Sequence, residues 1–158
     1  MTSARCTECG SDELAEATAP DTLVVAGYTF TADLPAVQCG RCGAIFFEGQ
    51  GIADFERAVA GEIAQRGPAT GETFRFMRKA LGLKAVDLAE MLDVTPETVS
   101  RWETGKLPMA RTSWLTLSSL ALDYEGTAAR LRAAQEGPGI AKAVVRLDVA
   151  AQSVRRAR

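Results

Sequence analysis

The apolar positions of the chain change period along its length, and each change marks a different kind of element. Between Gly51 and Gly67, the side chains Ile52, Phe55, Val59 and Ile63 recur at spacings of three, four and four residues, with charges between them. That period predicts one amphipathic helix with a buried stripe. Ahead of it, Leu23 to Thr31 is rich in β-branched and aromatic residues and reads as one strand, or as two bent at Gly27. Ala36 to Gln38 and Ala44 to Phe47 read as short extended runs. Gly67-Pro68-Ala69-Thr70-Gly71 breaks the helix, after which a helical period holds from Glu72 to about Glu136. Interruptions fall at Gly82, Asp93, Gly105 to Pro108 and Gly126, and Gly137-Pro138-Gly139 ends the block.

Inside that block, Phe74, Met77 and Leu81 form one stripe, closed by Gly82 as a C-terminal cap. A second helix, about Ala85 to Leu92, is expected to bury Leu88 and Leu92 and to place the small Ala89 against a close neighbour. Asp93-Val94-Thr95 then links to a third helix, with Thr95 as its cap, Pro96 in its first turn, and Val99 and Trp102 inward. The patterning predicts an α+β chain: a small β unit over 1–50, a linking helix and linker over 51–71, and an all-α unit of five helices over 72–136. The tail, 137–158, has a pattern that decides neither strand nor helix.

The chain has 158 residues, of which 47% are hydrophobic and 24% charged. Such a composition fits one ordinary folded domain or two small ones, and excludes a disordered chain or a large enzyme fold. No apolar run approaches the roughly 18 residues that span a bilayer, and the opening residues lack the apolar stretch of a signal peptide. A cytoplasmic protein without a membrane segment is expected, in a compartment that keeps thiols reduced. The formal charge of −2 hides an asymmetry. Residues 1–72 carry 11 acidic and 4 basic side chains (−7), and residues 73–158 carry 9 acidic and 14 basic (+5). Opposite halves of this kind suggest different partners. The tail, with Arg146, Arg155, Arg156 and Arg158, suits a solvated or nucleic-acid-brushing appendage better than a core element.

With no histidine in the chain, no imidazole can serve as base, triad member or metal ligand. The four cysteines stand instead as two Cys-x-x-Cys knuckles, Cys6/Cys9 and Cys39/Cys42, with a glycine after each. Two residues between thiolates let the backbone wrap a metal and aim N–H groups at sulfur, and two such turns complete a tetrahedral site for one structural Zn2+. The longer spacer accommodates the strands of a zinc ribbon. Four thiolates leave no open position for water or substrate, so no enzyme activity is expected. An iron centre, a redox dithiol and unrelated thiols are the alternatives. About 50 residues bury little core, so the metal would supply much of the folding free energy.

A helix, a short turn and a second helix with polar residues near its start is the geometry that sets side chains against base edges in the major groove. Arg78-(x)3-Gly82-Leu83, Leu88-Ala89 and Val94-Thr95-(x)3-Val99-Ser100-Arg101-Trp102-Glu103-(x)-Gly105 resemble the Xre/Cro-type helix-turn-helix over about residues 73–125. The resemblance implies a buried structural pair between Arg78 and Glu103. Arg101 is the expected base or phosphate contact, Thr98 and Ser100 are phosphate or base candidates, and Glu97 is an acceptor for cytosine or merely favours the helix start. Lys84, Thr95 and Lys106 complete the expected DNA-binding set. Two positions depart from the family pattern: Lys84-Ala85 replaces a Ser/Thr-Gln opening, and Asp93 replaces a glycine. A helical bundle with no DNA role is the alternative.

The order of four-cysteine ribbon, linking helix and helix-turn-helix resembles the MqsA-type antitoxins over about residues 6–125, including Tyr28-Thr29-Phe30 and Leu34-Pro35-Ala36. The resemblance implies zinc on Cys6, Cys9, Cys39 and Cys42, a homodimer on a palindromic double-stranded operator, autorepression, and a basic RNase toxin on the acidic N-terminal half. Glu97 stands where that family has a DNA-contacting asparagine, and the tail lies outside the pattern. The alternatives are a stand-alone transcription regulator without a toxin and, from another class, a redox enzyme using the cysteine pairs.

Overall fold

The computed structural model describes residues 5–135, which form a three-stranded sheet followed by six helices. Strands β1 (Leu14–Val25) and β2 (Tyr28–Cys39) make one long antiparallel hairpin in register from Leu14↔Cys39 to Val25↔Tyr28. Ala26 and Gly27, at φ 50° and 80°, form its two-residue turn, whose left-handed backbone matches the twist of the flanking strands. The bend expected at Gly27 is therefore a full reversal, and the strands run much further than patterning predicted. β1 begins in the Ala/Glu-rich stretch that carried no strand signal, and β2 absorbs the Ala36–Gln38 run. Alanine and glutamate are weak strand formers, and it is pairing with β2 that sets their conformation.

The short strand β3 (Ile45–Phe47) pairs antiparallel with Ala36–Gln38 of β2, giving the order β1-β2-β3. Both strand prolines fit this topology. Pro20 lies on the edge strand, and Pro35 lies just beyond the stretch that β3 pairs, so neither removes a donor from a needed ladder.

Helix α1 (Gly49–Arg66) packs along β2 and buries Phe55, Val59, Ala60 and Ile63. Ile52, expected in the same stripe, is 36% exposed. At that level the helix turns Gly51 toward the strand, where an added Cβ would already lie 3.5 Å from Pro35. Five helices follow: α2 (Gly71–Ala80), α3 (Ala85–Met91), α4 (Pro96–Glu103), α5 (Arg111–Leu122) and α6 (Tyr124–Gln135). One core runs from Val25 and Leu34 of the hairpin through Phe55 and Ile63 to Phe74, Met77, Leu88, Val99, Trp102, Leu117, Leu120 and Ala128.

Three details differ from the patterning. Leu81 and Leu92 are only half-buried, whereas Leu83 is buried in the turn after α2. The last interruption falls at Asp123 instead of Gly126, which lies inside α6. Asp123 Oδ1 accepts the Gly126 N–H at 3.0 Å, and a side chain on Gly126 would run into that carboxylate. Among the described residues no helix is long and apolar enough to cross a membrane. The tail, 137–158, lies outside the described residues.

Candidate metal centre and nucleic-acid interface

The two knuckles are near copies of one another. Gly10 N–H donates to Cys6 O and Gly43 N–H to Cys39 O, each at 2.9 Å, with Gly10 at φ 73° and Gly43 at φ 74°. A residue with a Cβ would be strained at either glycine. The β1–β2 register carries the second knuckle to the first, and Gly40 N–H donates to Glu13 O at 2.8 Å across them. The four Sγ atoms consequently lie within 4.8 Å of one another, with Cys6–Cys42 and Cys9–Cys39 both at 3.6 Å. Zinc–sulfur bonds of about 2.3 Å imply tetrahedral sulfur–sulfur edges of about 3.8 Å, so the arrangement fits a single thiophilic ion.

Backbone donors surround the sulfurs. N–H groups of Cys42 and Arg41 stabilise the Cys39 thiolate and hold its pKa at about 7 against desolvation. Ser11 N–H acts the same way on Cys9, but burial and the neighbouring thiols prevail and push it up to about 12. The N–H of Ala44 faces Cys42, whose pKa is nevertheless raised by desolvation and by Cys6 and Cys39. Burial and the crowding of thiols thus disfavour the thiolates of Cys9 and Cys42, and a dication at the centre of the cluster would remove that penalty.

On the helical side, three successive helices end in the same way. Gly82, Asp93 and Gly105 sit at φ 71°, 53° and 70° just past α2, α3 and α4. At each, the following N–H reaches back five residues, from Leu83 to Arg78 O, Val94 to Ala89 O and Lys106 to Arg101 O, at 2.9–3.1 Å. Aspartate is among the few side chains that tolerate this conformation, which explains how Asp93 stands in a glycine position.

Thr95 caps α4: its hydroxyl accepts from Thr98 N–H at 3.3 Å and lies 3.1 Å from Thr98 Oγ1. Val99 and Trp102 are buried, and the Trp102 ring meets Phe74 edge-on at a centroid distance of 6.0 Å. Glu97, Ser100 and Arg101 are therefore left exposed on α4, with Lys84 exposed ahead of α3 and Lys106 exposed just past α4. Thr95 and Thr98 differ from these: their hydroxyls are engaged with one another, and Thr98 is half-buried. Among the described residues no ion pair engages Lys84, Arg101 or Lys106.

Arg78 and Glu103 are brought together in a bidentate pair, Nε–Oε1 at 2.6 Å and Nη2–Oε2 at 3.1 Å, with side chains 10% and 8% exposed. Arg78 Nη1 also donates to Leu83 O at 2.7 Å, so one guanidinium joins the end of α2, the following turn and the end of α4. Patterning gave no signal for two further supports. Thr73, fully buried, donates to Pro68 O at 2.7 Å and completes the α2 cap with Thr70. Gly71 lies so close to α4 that a Cβ would run into the carbonyl oxygens of Trp102 and Glu103. Gly71→Ala should therefore lower stability by about 1–3 kcal/mol, as overpacking against backbone does. Urea unfolding checks the sign, since at an unobstructed helix start alanine would raise stability.

A family profile described as helix-turn-helix (HTH_3) matches residues 74–115, from α2 into the start of α5. This segment thus has the character of a DNA-binding transcription regulator, and the cysteine cluster can hold one metal ion such as zinc. No curated protein matches the chain.

Proposed function

We propose that the protein is a sequence-specific transcriptional repressor that binds a palindromic operator as a homodimer, with a zinc ribbon at 1–50 and DNA recognition within 72–136. The observation that carries this reading is the α4 face: Glu97, Ser100 and Arg101 project from a helix whose cap, buried side and far end are all fixed. A rigid helix with free polar groups near its start is what base readout requires. Lys84 and Lys106 flank this face as phosphate contacts.

We further propose that the chain is an MqsA-like antitoxin, its N-terminal half binding a basic RNase toxin and its helical half repressing its own operon. Support comes from the −7 balance of residues 1–72 and from the exposure of Glu8, Asp12, Glu13, Glu16 and Asp33 there. An acidic surface accelerates capture of a cationic partner.

Two experiments test these readings. A duplex enriched by the zinc-loaded protein from a random pool should bind Arg101→Ala more weakly by about 1–3 kcal/mol, with little change on a shuffled duplex. An equal loss on both duplexes would reduce Arg101 to a phosphate contact. For the toxin, co-expression with the reading frames adjoining its gene should yield a stoichiometric complex with a small basic chain; without one, the stand-alone regulator is the better reading.

A further inference from the structure

Among the described helices, α5 is the one whose outer face carries no charge. After Arg111, no Asp, Glu, Lys or Arg occurs before Asp123. Helices α1, α2 and α6 pack on its other sides and bury Ser113, Leu117, Ser118 and Leu120. Leu115, Ser119 and Leu122 recur at spacings of four and three and stay exposed, the two leucines at 52% and 54%. Those spacings place all three on one stripe of the helix. A single exposed leucine is ordinary, but a surface helix normally turns charge to water, and this stripe has none to turn. A groove between α5 and α6, lined by Leu115, Ser119, Thr127 and Leu131, runs beside it and gives an incoming leucine somewhere to lie.

The charges at the two ends of α5 point to what covers this face. Arg111 opens the helix, exposed and outside every ion pair among the described residues. Asp123 closes it, and Glu125 follows in the first turn of α6. Asp123 accepts the Gly126 N–H and lies 3.5 Å from Arg130, yet its side chain is 58% exposed and open to a second cation. Twelve residues make a helix about 18 Å long. A second copy laid antiparallel across it, with the two-fold axis at Ser118 and Ser119, sets each Leu115 on the Leu122 of the other chain. The same register brings Arg111 within one turn of Asp123 and Glu125 of the second copy, and it opposes the two helix dipoles. The small Ser119 at the axis lets the backbones approach. A parallel partner would instead set arginine on arginine and acid on acid. Around the stripe, Arg111 and Arg130 balance Asp123 and Glu125, so the surface suits its own copy better than a partner of one sign.

We propose that the uncharged stripe of α5 is a self-association surface, packed antiparallel on the same stripe of a second copy. This rests on the homodimer reading and adds the surface that makes the pair. Sedimentation equilibrium of the full-length, zinc-loaded protein tests it with Leu115→Glu, Leu122→Lys and the double variant. Both positions are exposed, so all three variants should melt with the wild type. The wild type should sediment as a dimer. Each single variant should weaken association by more than about tenfold, because an unpaired charge then faces leucine in both halves of the interface. The double variant should regain the dimer, because the introduced carboxylate of one copy faces the introduced ammonium of the other. Within one chain these two groups are about 10 Å apart along the helix and cannot pair. A dimer that neither single variant weakens would overturn the proposal and leave the homodimer reading standing, as would a loss in both that the double variant does not restore. A wild type that is monomeric in solution would also overturn it, and one chain per enriched duplex would overturn the homodimer reading as well.

Discussion

Cys39→Ser, or removal of metal by a chelator, should unfold the knuckle end of the hairpin while α1–α6 stay folded. The reason lies in where the apolar contacts are. Val25 and Leu34 belong to the core shared with the helices, and Ala26 N–H is held by Glu72 Oε1 at 2.8 Å. At the other end the buried side chains are Cys6, Ser11, Ala19, Ala36 and Cys39, which bury little apolar surface apart from the thiols. A metal site absent from the unfolded chain converts its binding free energy into folding free energy. Cys39, the deepest of the four at 1% exposure, is the most damaging to replace. The expected results are one zinc per chain by elemental analysis, and fast amide exchange over residues 5–18 and 35–47, which pair with one another, once metal is removed. Unchanged protection there would show that the sheet stands without metal.

The second large effect concerns the Arg78–Glu103 pair. Arg78→Ala strands a carboxylate that is 8% exposed and removes the donor to Leu83 O, and should cost about 3–5 kcal/mol. Against a typical total of about 5–15 kcal/mol, that loss is large. Arg75 Nε, 4.0 Å from Glu103 Oε2, is 55% exposed and cannot replace a bidentate fork. Arg78→Lys should also fail, since an ammonium cannot make both carboxylate bonds and the Leu83 bond in this geometry. Arg78→Met combined with Glu103→Leu should recover most of the stability, because no buried charge is then unpaired. Urea midpoints of the single and double variants test this; a loss below about 1 kcal/mol for Arg78→Ala would mean that solvent already screens the pair.

The helical half was legible in the sequence because its signals are local. A stop at Gly82, a cap at Thr95 with Pro96 behind it, and the inward Val99 and Trp102 each depend on neighbours within a few residues. The cysteine cluster was legible for a different reason, its duplicated spacing. What escaped depends on contacts distant in sequence. Leu14 to Pro20 becomes a strand only through pairing with Asp33 to Cys39. Gly71 reads as a linker glycine until α4 is placed against it, 31 residues on from Gly71 to Trp102. Ile52 fits the helical period but lies where Gly51 faces the strand. The interruption assigned to Gly126 belongs to Asp123, because the glycine serves the cap from inside the helix. The half-by-half charge count likewise concealed that most of the basic excess lies past Gln135.

We propose that α4 enters the major groove and reads bases there. Methylation interference on the wild-type-enriched duplex, with the full-length zinc-loaded protein, tests it most directly. The expected result is interference at guanine N7 atoms in the major groove, in two symmetric half-sites about 34 Å apart or a multiple of that spacing. Protection of the backbone without any N7 interference would contradict it.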